Sequence, residues 1–283
     1  MHANPRPIAR RIVLLAFLLL SVGCTLQSES DRERVLTPLP TAVEPAEEMS
    51  LTIVYDNNAY DSRLRTAWGF GCWLQKGEQN LLFDTGGDSA ILLGNMKVLG
   101  LDPQGIDVVV LSHVHGDHTG GLMGLLATGA RPLVYLPASF PAQFKSGLRE
   151  LVSVHEVDEV QEILPGIYTT GEMGTDLREQ GLVIQTSHGL VVVTGCAHPG
   201  IVEMVRQARA ALDDEVYLVA GGFHLGGASE TRIREVCAAF QQLGVRKLAP
   251  SHCTGEEAMR ILAAEFGDDY VRCGVGWEID LIP

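Results

Sequence analysis

The sequence predicts a layered α/β domain, and three observations support this prediction. Short runs of β-branched and aromatic residues alternate with helical patterns of ten or more residues along most of the chain. The run at 107–111, "DVVVL", has the unbroken apolar character of a strand that is buried on both faces. The chain has 283 residues, of which 46% are hydrophobic and 20% charged, so it can bury the core of one large or two small domains.

In the first half, strands are predicted where turn residues bound short apolar runs: "LTIVYDN", "FGCWLQ", "NLLFDTGG", "DVVVLSH" and "PLVYLP". A helix is predicted over "DSAILLGNMKVLG", from an Asp or Ser cap to a terminal glycine. Residues 137–165 have weaker periodicity, and we expect them to form an insertion over a site.

In the second half, "GLVIQTSHGLVVVTG", "VYLVAGG" and "RKLAPSH" repeat the strand pattern. Helices are predicted between and after them, near "PGIVEMVRQARAAL", "SETRIREVCAAFQQLG" and "GEEAMRILAAEFG". The closing "YVRCGVGWEIDLI" is expected to add two strands. No internal repeat is present in the sequence.

The N-terminal residues predict export. Arginines precede a short apolar run and small residues that end at Cys24, which is the pattern of a signal peptide over 1–23 and resembles a lipobox with Cys24 as the lipidated residue. A plain cleaved signal and an uncleaved anchor are the alternatives. Residues 24–50 are polar and contain prolines, so they predict a flexible tether to a domain over 51–283.

These features predict an exported, membrane-anchored lipoprotein at the periplasmic or outer cell surface, which meets the membrane only through its lipid. A formal net charge of -14 makes nucleic acid a poor partner, because an acidic surface repels phosphate backbones. The expected partner is a small-molecule substrate, and the sequence does not predict the oligomeric state.

The cysteines divide into two groups. Beyond Cys24 there are five, an odd number that does not allow complete disulfide pairing. Three lie in apolar surroundings and are interpreted as small buried hydrophobes: Cys72, Cys237 and Cys273. Cys196 and Cys253 lie within two residues of a histidine, and packed thiols are the favoured interpretation, with a metal ligand or a disulfide left open.

Polar side chains follow five of the predicted strands. They are Asp84, His113, His198, His224 and His252. Carboxyl ends of strands in an α/β sheet are where loops converge and ligands bind. Five such placements in one chain therefore predict a site at one edge of the sheets.

The spacing within "HVHGDH" predicts metal ligation. In extended backbone His113, His115 and Asp117 would face one cavity, while His118 would face another. Imidazoles combined with a carboxylate suit Zn²⁺, iron or manganese, and two neighbouring sets would make a two-metal site.

The motif "SHVHGDHTGG" resembles the signature of the metallo-β-lactamase superfamily, with the other motifs following in order over 51–283. The resemblance implies an αββα sandwich, in which two mixed sheets are flanked by helices, and two divalent metals, most readily zinc. It implies that His113, His115 and His198 bind the first metal, that Asp117, His118 and His252 bind the second, and that Asp84 orients the metal loop.

One motif departs from the family pattern. The family's bridging aspartate would lie in "YLVAGGFHL", where this chain has glycines followed by His224. Either His224 takes that ligand position, or water alone bridges the metals and His224 donates a hydrogen bond to a metal ligand or to the substrate.

The short segments "TGCAHPGI", "GGFHL" and "PSHCTG" look most like those of the superfamily branch that contains dihydropterin-ribofuranosylaminobenzene phosphate synthases. The leading hypothesis is a hydrolase in which a metal-activated hydroxide attacks an ester, lactone, amide or phosphoester, with Asp117 and His224 as catalytic residues. The alternatives are a transferase on a pterin-like substrate and a non-catalytic metal-binding scaffold.

Overall fold

The alternating strands and helices form two β-sheets stacked face to face, with helices on both outer sides. The computed structural model describes residues 48–281. The predicted signal peptide, the predicted lipidation site Cys24 and most of the predicted tether lie outside the described residues. Within residues 48–281, no helix is both long and apolar enough to span a bilayer.

The described chain begins its first strand at Met49, two residues before the predicted start of the domain. The strands are β1 (Met49–Tyr55), β2 (Gly71–Lys76), β3 (Gln79–Phe83), β4 (Val108–Val110), β5 (Leu133–Pro137), β6 (Val154–Val157), β7 (Gln161–Leu164), β8 (Ile167–Thr169), β9 (Leu182–Thr186), β10 (Gly189–Thr194), β11 (Val216–Gly222), β12 (Lys247–Ser251) and β13 (Glu278–Leu281). The helices are α1 (Ser89–Leu99), α2 (Gly116–Thr119), α3 (Leu122–Ala127), α4 (Ala142–Arg149), α5 (Ile201–Leu212), α6 (Glu230–Gln242) and α7 (Glu256–Phe266). Short 3-10 turns lie at Pro103–Gly105, His252–Thr254 and Gly267–Asp269.

Each sheet is mixed. The first has the order β13-β1-β2-β3-β4-β5-β6 and the second the order β12-β11-β10-β9-β8-β7. Strands β3 to β6 run parallel, and so do β10 to β12, while the remaining pairs are antiparallel. Parallel neighbours end at the same edge, so the loops after β3, β4, β10, β11 and β12 are brought to shared edges of the two sheets.

The core lies in three layers because side chains alternate along each strand. Val108 and Val110 of β4 enter the cluster between the sheets, whereas Val109 packs with helices α1 and α3. In β10, Val193 faces the inter-sheet cluster and Val192 packs with α5 and α6 on the other side. The predicted αββα sandwich of two mixed sheets flanked by helices is therefore confirmed.

Helix α1 confirms the helix that its caps predict. The Asp88 carboxylate accepts hydrogen bonds from the backbone N–H groups of Ala90 and Ile91, and Gly100 ends the helix in the left-handed conformation.

Two other predictions were wrong. Residues 137–165 are not an insertion over a site, because they form α4 and the edge strands β6 and β7 of both sheets. The C-terminal run contributes one strand, β13, and two isolated bridges instead of two strands.

Candidate metal centre

The five polar positions predicted at strand ends meet at one site. The His113 and His198 rings, which follow β4 and β10 in different sheets, have centroids 4.7 Å apart. The rings of His118 and His252 are 5.1 Å apart, and those of His198 and His224 are 4.3 Å apart. The structure therefore gathers side chains from both sheets around one centre.

The HxHxDH segment is not extended throughout. His115 is the last extended residue, and the chain then turns into helix α2, which carries Asp117 and His118. The prediction that alternation along a strand aims Asp117 was therefore wrong. Oδ2 of Asp117 and Nε2 of His118 nevertheless lie 3.5 Å apart, so the residues converge by a different route.

The predicted ligands of the first metal pack closely. Nε2 of His113 lies 3.1 Å from Nδ1 of His115, and the His115 and His198 ring centroids are 5.0 Å apart. Three imidazoles in close contact are unfavourable if protonated, because their charges would repel one another. A cation between them would instead use their lone pairs.

The predicted ligands of the second metal share one carboxylate oxygen. Oδ2 of Asp117 lies 3.5 Å from Nε2 of His118 and 3.4 Å from Nε2 of His252. The Asp117 side chain keeps 24% of its surface exposed, whereas both imidazoles are buried. Asp117 thus faces both the predicted ligands and the solvent side of the centre.

The outer nitrogens of three imidazoles are fixed by hydrogen bonds. Nδ1 of His118 donates to Asp84 at 2.7 Å, and Nδ1 of His252 donates to the Asn57 side-chain oxygen at 2.8 Å. Nδ1 of His113 donates to the Ser112 hydroxyl at 2.9 Å, which in turn donates to Asp84 at 2.6 Å. These tautomers leave each Nε2 lone pair available for a metal. The contacts of Asp84 fit its predicted orienting role.

Two inner nitrogens have no hydrogen-bond partner. Nε2 of His198 and Nε2 of His252 are both buried and unpaired. An unsatisfied buried polar atom costs about 1–3 kcal/mol, so two at one centre need an explanation. Divalent metal ions would satisfy both atoms, and the surrounding nitrogen, oxygen and sulfur donors suit such ions.

A thiol lies among the imidazoles. Sγ of Cys196 is 3.3 Å from Nε2 of His118. Cys196 belongs to three sets of candidate ligands, and within each set the ligand atoms lie within 4.8 Å of one another. Its partners in these sets are His113 and His198, then His118 and His252, and finally His224 and Cys253. Cys72, Cys237 and Cys273 lie in the apolar core as small buried hydrophobes, whereas Cys196 and Cys253 are buried outside the apolar clusters. All five described cysteines are free, so no disulfide is present in residues 48–281.

Glu179 is a site residue that the sequence did not reveal. It is fully buried in the loop before β9, and its carboxylate accepts backbone N–H bonds from Cys196, Ala197 and His198 at 2.9, 2.9 and 2.8 Å. Burial raises the pKa of Glu179, while these three donors act in the opposite direction. Its partners lie 17 to 19 residues away in sequence, and no motif marks the position.

The pKa shifts of His198 and Asp117 favour the metal-binding forms of these side chains, whereas, against the effect of burial, the charge of Asp84 and its hydrogen bond raise the pKa of His118. Burial, together with the neighbouring His224 and His115, lowers the pKa of His198 to about 4, so this ring is neutral at neutral pH. Burial works to raise the pKa of Asp117, but the nearby imidazoles of His252 and His118 hold that pKa well below its usual range. A hydrogen bond with Cys253 raises the pKa of His224.

The backbone is strained at this centre. Five non-glycine residues have a positive φ in the described chain, and four of them carry or adjoin the site: Asp84, Ala197, His224 and His252. Each such conformation costs on the order of 1–3 kcal/mol and persists where surrounding contacts enforce it. The strain therefore coincides with the side chains that the sequence singled out.

Comparison with known proteins agrees with this geometry. The 7,8-dihydropterin-6-methyl-4-(β-D-ribofuranosyl)-aminobenzene-5'-phosphate synthase of Methanocaldococcus jannaschii is 31% identical over 245 residues, which cover 70% of this chain and 83% of that protein. The family model described as the metallo-β-lactamase superfamily matches residues 72–208. The chain belongs to the metallo-β-lactamase superfamily.

Solved structures of the superfamily share the fold. A metal-dependent hydrolase of the β-lactamase superfamily is 28% identical with a TM-score of 0.71, covering 83% of this chain and 100% of that one. A metallo-β-lactamase fold protein from Bacillus subtilis has a TM-score of 0.62 at 16% identity, covering 83% of this chain and 99% of its own. At that identity the second likeness shows the fold alone.

Proposed function

We propose that this metallo-β-lactamase superfamily protein is a metal-dependent hydrolase of a small-molecule ester, lactone, amide or phosphoester. The observation that carries the proposal is the pair of buried, unpartnered Nε2 atoms of His198 and His252, which face the same centre from one sheet. The similarity to a solved metal-dependent hydrolase over its full length supports the same reaction class.

The donor set fits two divalent ions. His113, His115 and His198 would hold the first, and Asp117, His118 and His252 would hold the second, with zinc favoured and iron or manganese as alternatives. When bound, such ions lower the pKa of a coordinated water toward ~7 and polarise the bond to be cleaved. His224 is exposed and the Asp117 side chain keeps 24% of its surface exposed, so a substrate could reach the centre from this side.

Two side chains are placed for proton transfer. Asp117 keeps its carboxylate ionised and part-exposed beside His118 and His252, so it can take a proton from the attacking nucleophile. His224 is exposed at the mouth against His198, and its raised pKa favours a protonated ring that can donate to the leaving group. An ionised carboxylate and a protonated imidazole at one centre can serve as a general base and a general acid.

The test compares His115→Ala and Asp117→Asn with His188→Ala. His188 lies exposed on the β9–β10 turn against Tyr217, away from the centre, and so serves as a matched histidine control. We expect the two site variants to lose at least ~10²-fold in kcat on a panel of esters, lactones and phosphoesters, with circular dichroism unchanged. Full activity in either site variant would refute the proposal. Bound metal without turnover on any substrate would indicate the binding scaffold.

The second candidate is a transferase on a pterin-like substrate, and one observation of the structure supports it. Trp68 is 60% exposed, and its ring lies 4.8 Å from the ring of His252 at the mouth of the centre. An exposed tryptophan beside a polar centre offers a stacking surface for a flat heterocycle. The relative from M. jannaschii is named as a synthase of such a compound.

Product analysis separates the two candidates. The protein would be incubated with a dihydropterin pyrophosphate, with and without an aryl amine acceptor. A coupled product that requires the acceptor would establish the transferase, and release of the same hydrolysed product in both reactions would favour the hydrolase.

We also propose export and lipid anchoring through Cys24, as the N-terminal residues predict. A periplasmic or outer-surface position would favour hydrolysis, because it separates the protein from cytosolic coenzyme synthesis. Incorporation of labelled fatty acid that is abolished by Cys24→Ala would support the anchor, and labelling that persists in the variant would refute it.

A further inference from the structure

We propose that the sulfur of Cys196 is a metal ligand shared by the two metal positions, in the place that an aspartate occupies elsewhere in the superfamily. The inference rests on the proposed metal centre and adds a ligand that the family motifs do not assign. It would make the centre a mixed imidazole, carboxylate and thiolate site.

Cys196 is common to both halves of the centre. Its Sγ lies within 4.8 Å of ligand atoms of His113 and His198, and equally of His118 and His252. The distance from Sγ to Nε2 of His118 is 3.3 Å. A donor atom that belongs to both sets is placed between them, which is the position of a bridging ligand.

The glycines at the end of β11 explain why the ligand comes from β10. A Cβ atom on Gly222 would lie 2.3 Å from the carbonyl oxygen of Gly195 and 2.8 Å from Sγ of Cys253. Gly221 has a φ of +101°, and a Cβ atom there would lie 2.1 Å from the carbonyl oxygen of Thr194. The end of β10 thus fills the space that an acidic side chain on β11 would need.

Independent observations point to a ligand at this thiol. Nε2 of His252, whose side chain is buried, has no hydrogen-bond partner, and neither has Nε2 of His198. The thiol between the two sets is itself held in place, since the Cys196 backbone N–H donates to the buried carboxylate of Glu179 at 2.9 Å. This chain has glycines where the family has a bridging aspartate, so its donor set carries one negative charge fewer. A thiolate at Cys196 would restore that charge.

Cys253, the neighbouring thiol, does not take this role. It belongs to neither of the two sets formed by the HxHxDH histidines with His198 and His252. Its Sγ donates to the carbonyl oxygen of Cys196 at 3.6 Å instead. Removing Cys253 should therefore leave the bridging sulfur in place.

A bridging thiolate has a consequence for metal preference. Sulfur ligands favour zinc, cobalt and ferrous iron over manganese and magnesium, which prefer oxygen donors. We expect this protein to retain zinc or cobalt at concentrations at which manganese dissociates.

The experiment uses Co²⁺, because a cobalt–thiolate bond gives a charge-transfer band in the near ultraviolet that imidazole and carboxylate ligands do not give. The metal-free protein is titrated with Co²⁺ as wild type and as four variants: Cys196→Ala, Cys196→Ser, Cys253→Ala and Cys237→Ala. Cys237 lies on α6, buried in the apolar cluster away from the centre, and is the matched control. Circular dichroism confirms that each variant is folded.

We expect the band in wild type, Cys253→Ala and Cys237→Ala, its loss in both Cys196 variants, and at least a ~10-fold weaker Co²⁺ affinity in those two. Cys196→Ser changes the side-chain shape less than Cys196→Ala does, so it serves if the alanine variant fails to fold. Stoichiometric Co²⁺ binding without the band in wild type, or a band that survives in Cys196→Ser, would overturn the inference while leaving the metal centre intact. Absence of any stoichiometric binding would instead overturn the proposed function.

Discussion

At the scale of single residues, strained backbone and buried charge occur together around one loop. Ala197 adopts a positive φ between Cys196 and His198, and all three backbone N–H groups point to the Glu179 carboxylate. The strained conformation itself costs about 1–3 kcal/mol, and the three N–H donors that converge on the Glu179 carboxyl group hold the chain in it. Glu179 therefore positions His198 and Cys196 without contacting a substrate itself.

Glu179→Gln should destabilise the protein and weaken metal binding. Glutamine keeps one carbonyl oxygen, but its amide nitrogen would face an N–H donor and leave that donor unsatisfied, at a cost of about 1–3 kcal/mol. The free energy of unfolding is measured in urea and the zinc affinity by titration. Glu203→Gln is the control, since Glu203 is an exposed residue of α5 that pairs with Arg206. Equal effects of the two substitutions would contradict the positioning role.

At the scale of elements, the glycines after HxHxDH serve close packing. A Cβ atom on Gly121 would lie 2.1 Å from the carbonyl oxygen of Thr85, and one on Gly120 would lie 2.4 Å from that of Gly87. The carbonyl oxygen of His118 also accepts hydrogen bonds from the N–H and the hydroxyl of Thr85. Helix α2 is thus packed against the loop after β3, which fixes Asp117 and His118 relative to Asp84.

Gly121→Ala should lower the free energy of unfolding by about 1–3 kcal/mol, because the added methyl group meets backbone that cannot move away. Gly116→Ala is the control within the same segment. A Cβ atom on Gly116 meets nothing within 4 Å, so we expect that variant to be neutral or stabilised by up to about 1 kcal/mol. Thermal and urea unfolding of both variants test this, and a stable Gly121→Ala protein would show that α2 can shift.

The elements that could be predicted are those with long patterns or caps. Helix α1 was predicted from its Asp and Gly caps, and the buried strands β4 and β10 from their apolar runs. Helix α2 was missed because its 4 residues make barely one helical turn, and β6 to β8 because strands of 3 or 4 residues are too short to show alternation.

The site residues also divide into those that the sequence predicted and those that only the structure shows. Histidines at strand ends show a spacing that sequence alone reveals, and the structure brings all of them together. Glu179 and Asn57 lie alone in loops, and Asn57 bonds to His252 across 195 residues of sequence, so only the folded chain shows their roles.

At the scale of the whole molecule, the centre lies where the two sheets meet. The side chain of Gln180, just before β9, donates to the carbonyl oxygen of Leu111 after β4 at 2.8 Å. The first predicted ligand set combines His113 and His115 from one sheet with His198 from the other, and the second combines Asp117 and His118 with His252. Each metal would therefore connect the sheets directly.

Zinc should stabilise the sandwich as a unit. Free zinc at ~100 times its Kd would raise the free energy of unfolding by about 2.7 kcal/mol, and a chelator should reverse the effect.

The stability increment that zinc gives should fall with falling pH. The pKa of His198 is about 4 in the folded, metal-free protein, so its neutral form is favoured, and this contribution to stability is present above the unfolded value of ~6.5 and lost as the pH falls toward about 4. Protons displace zinc over the same range. Urea unfolding with zinc or chelator at several pH values tests this, with His188→Ala retaining the increment and His198→Ala losing most of it. An increment that His198→Ala leaves intact, or that grows as the pH falls, would mean that zinc does not join the sheets through His198.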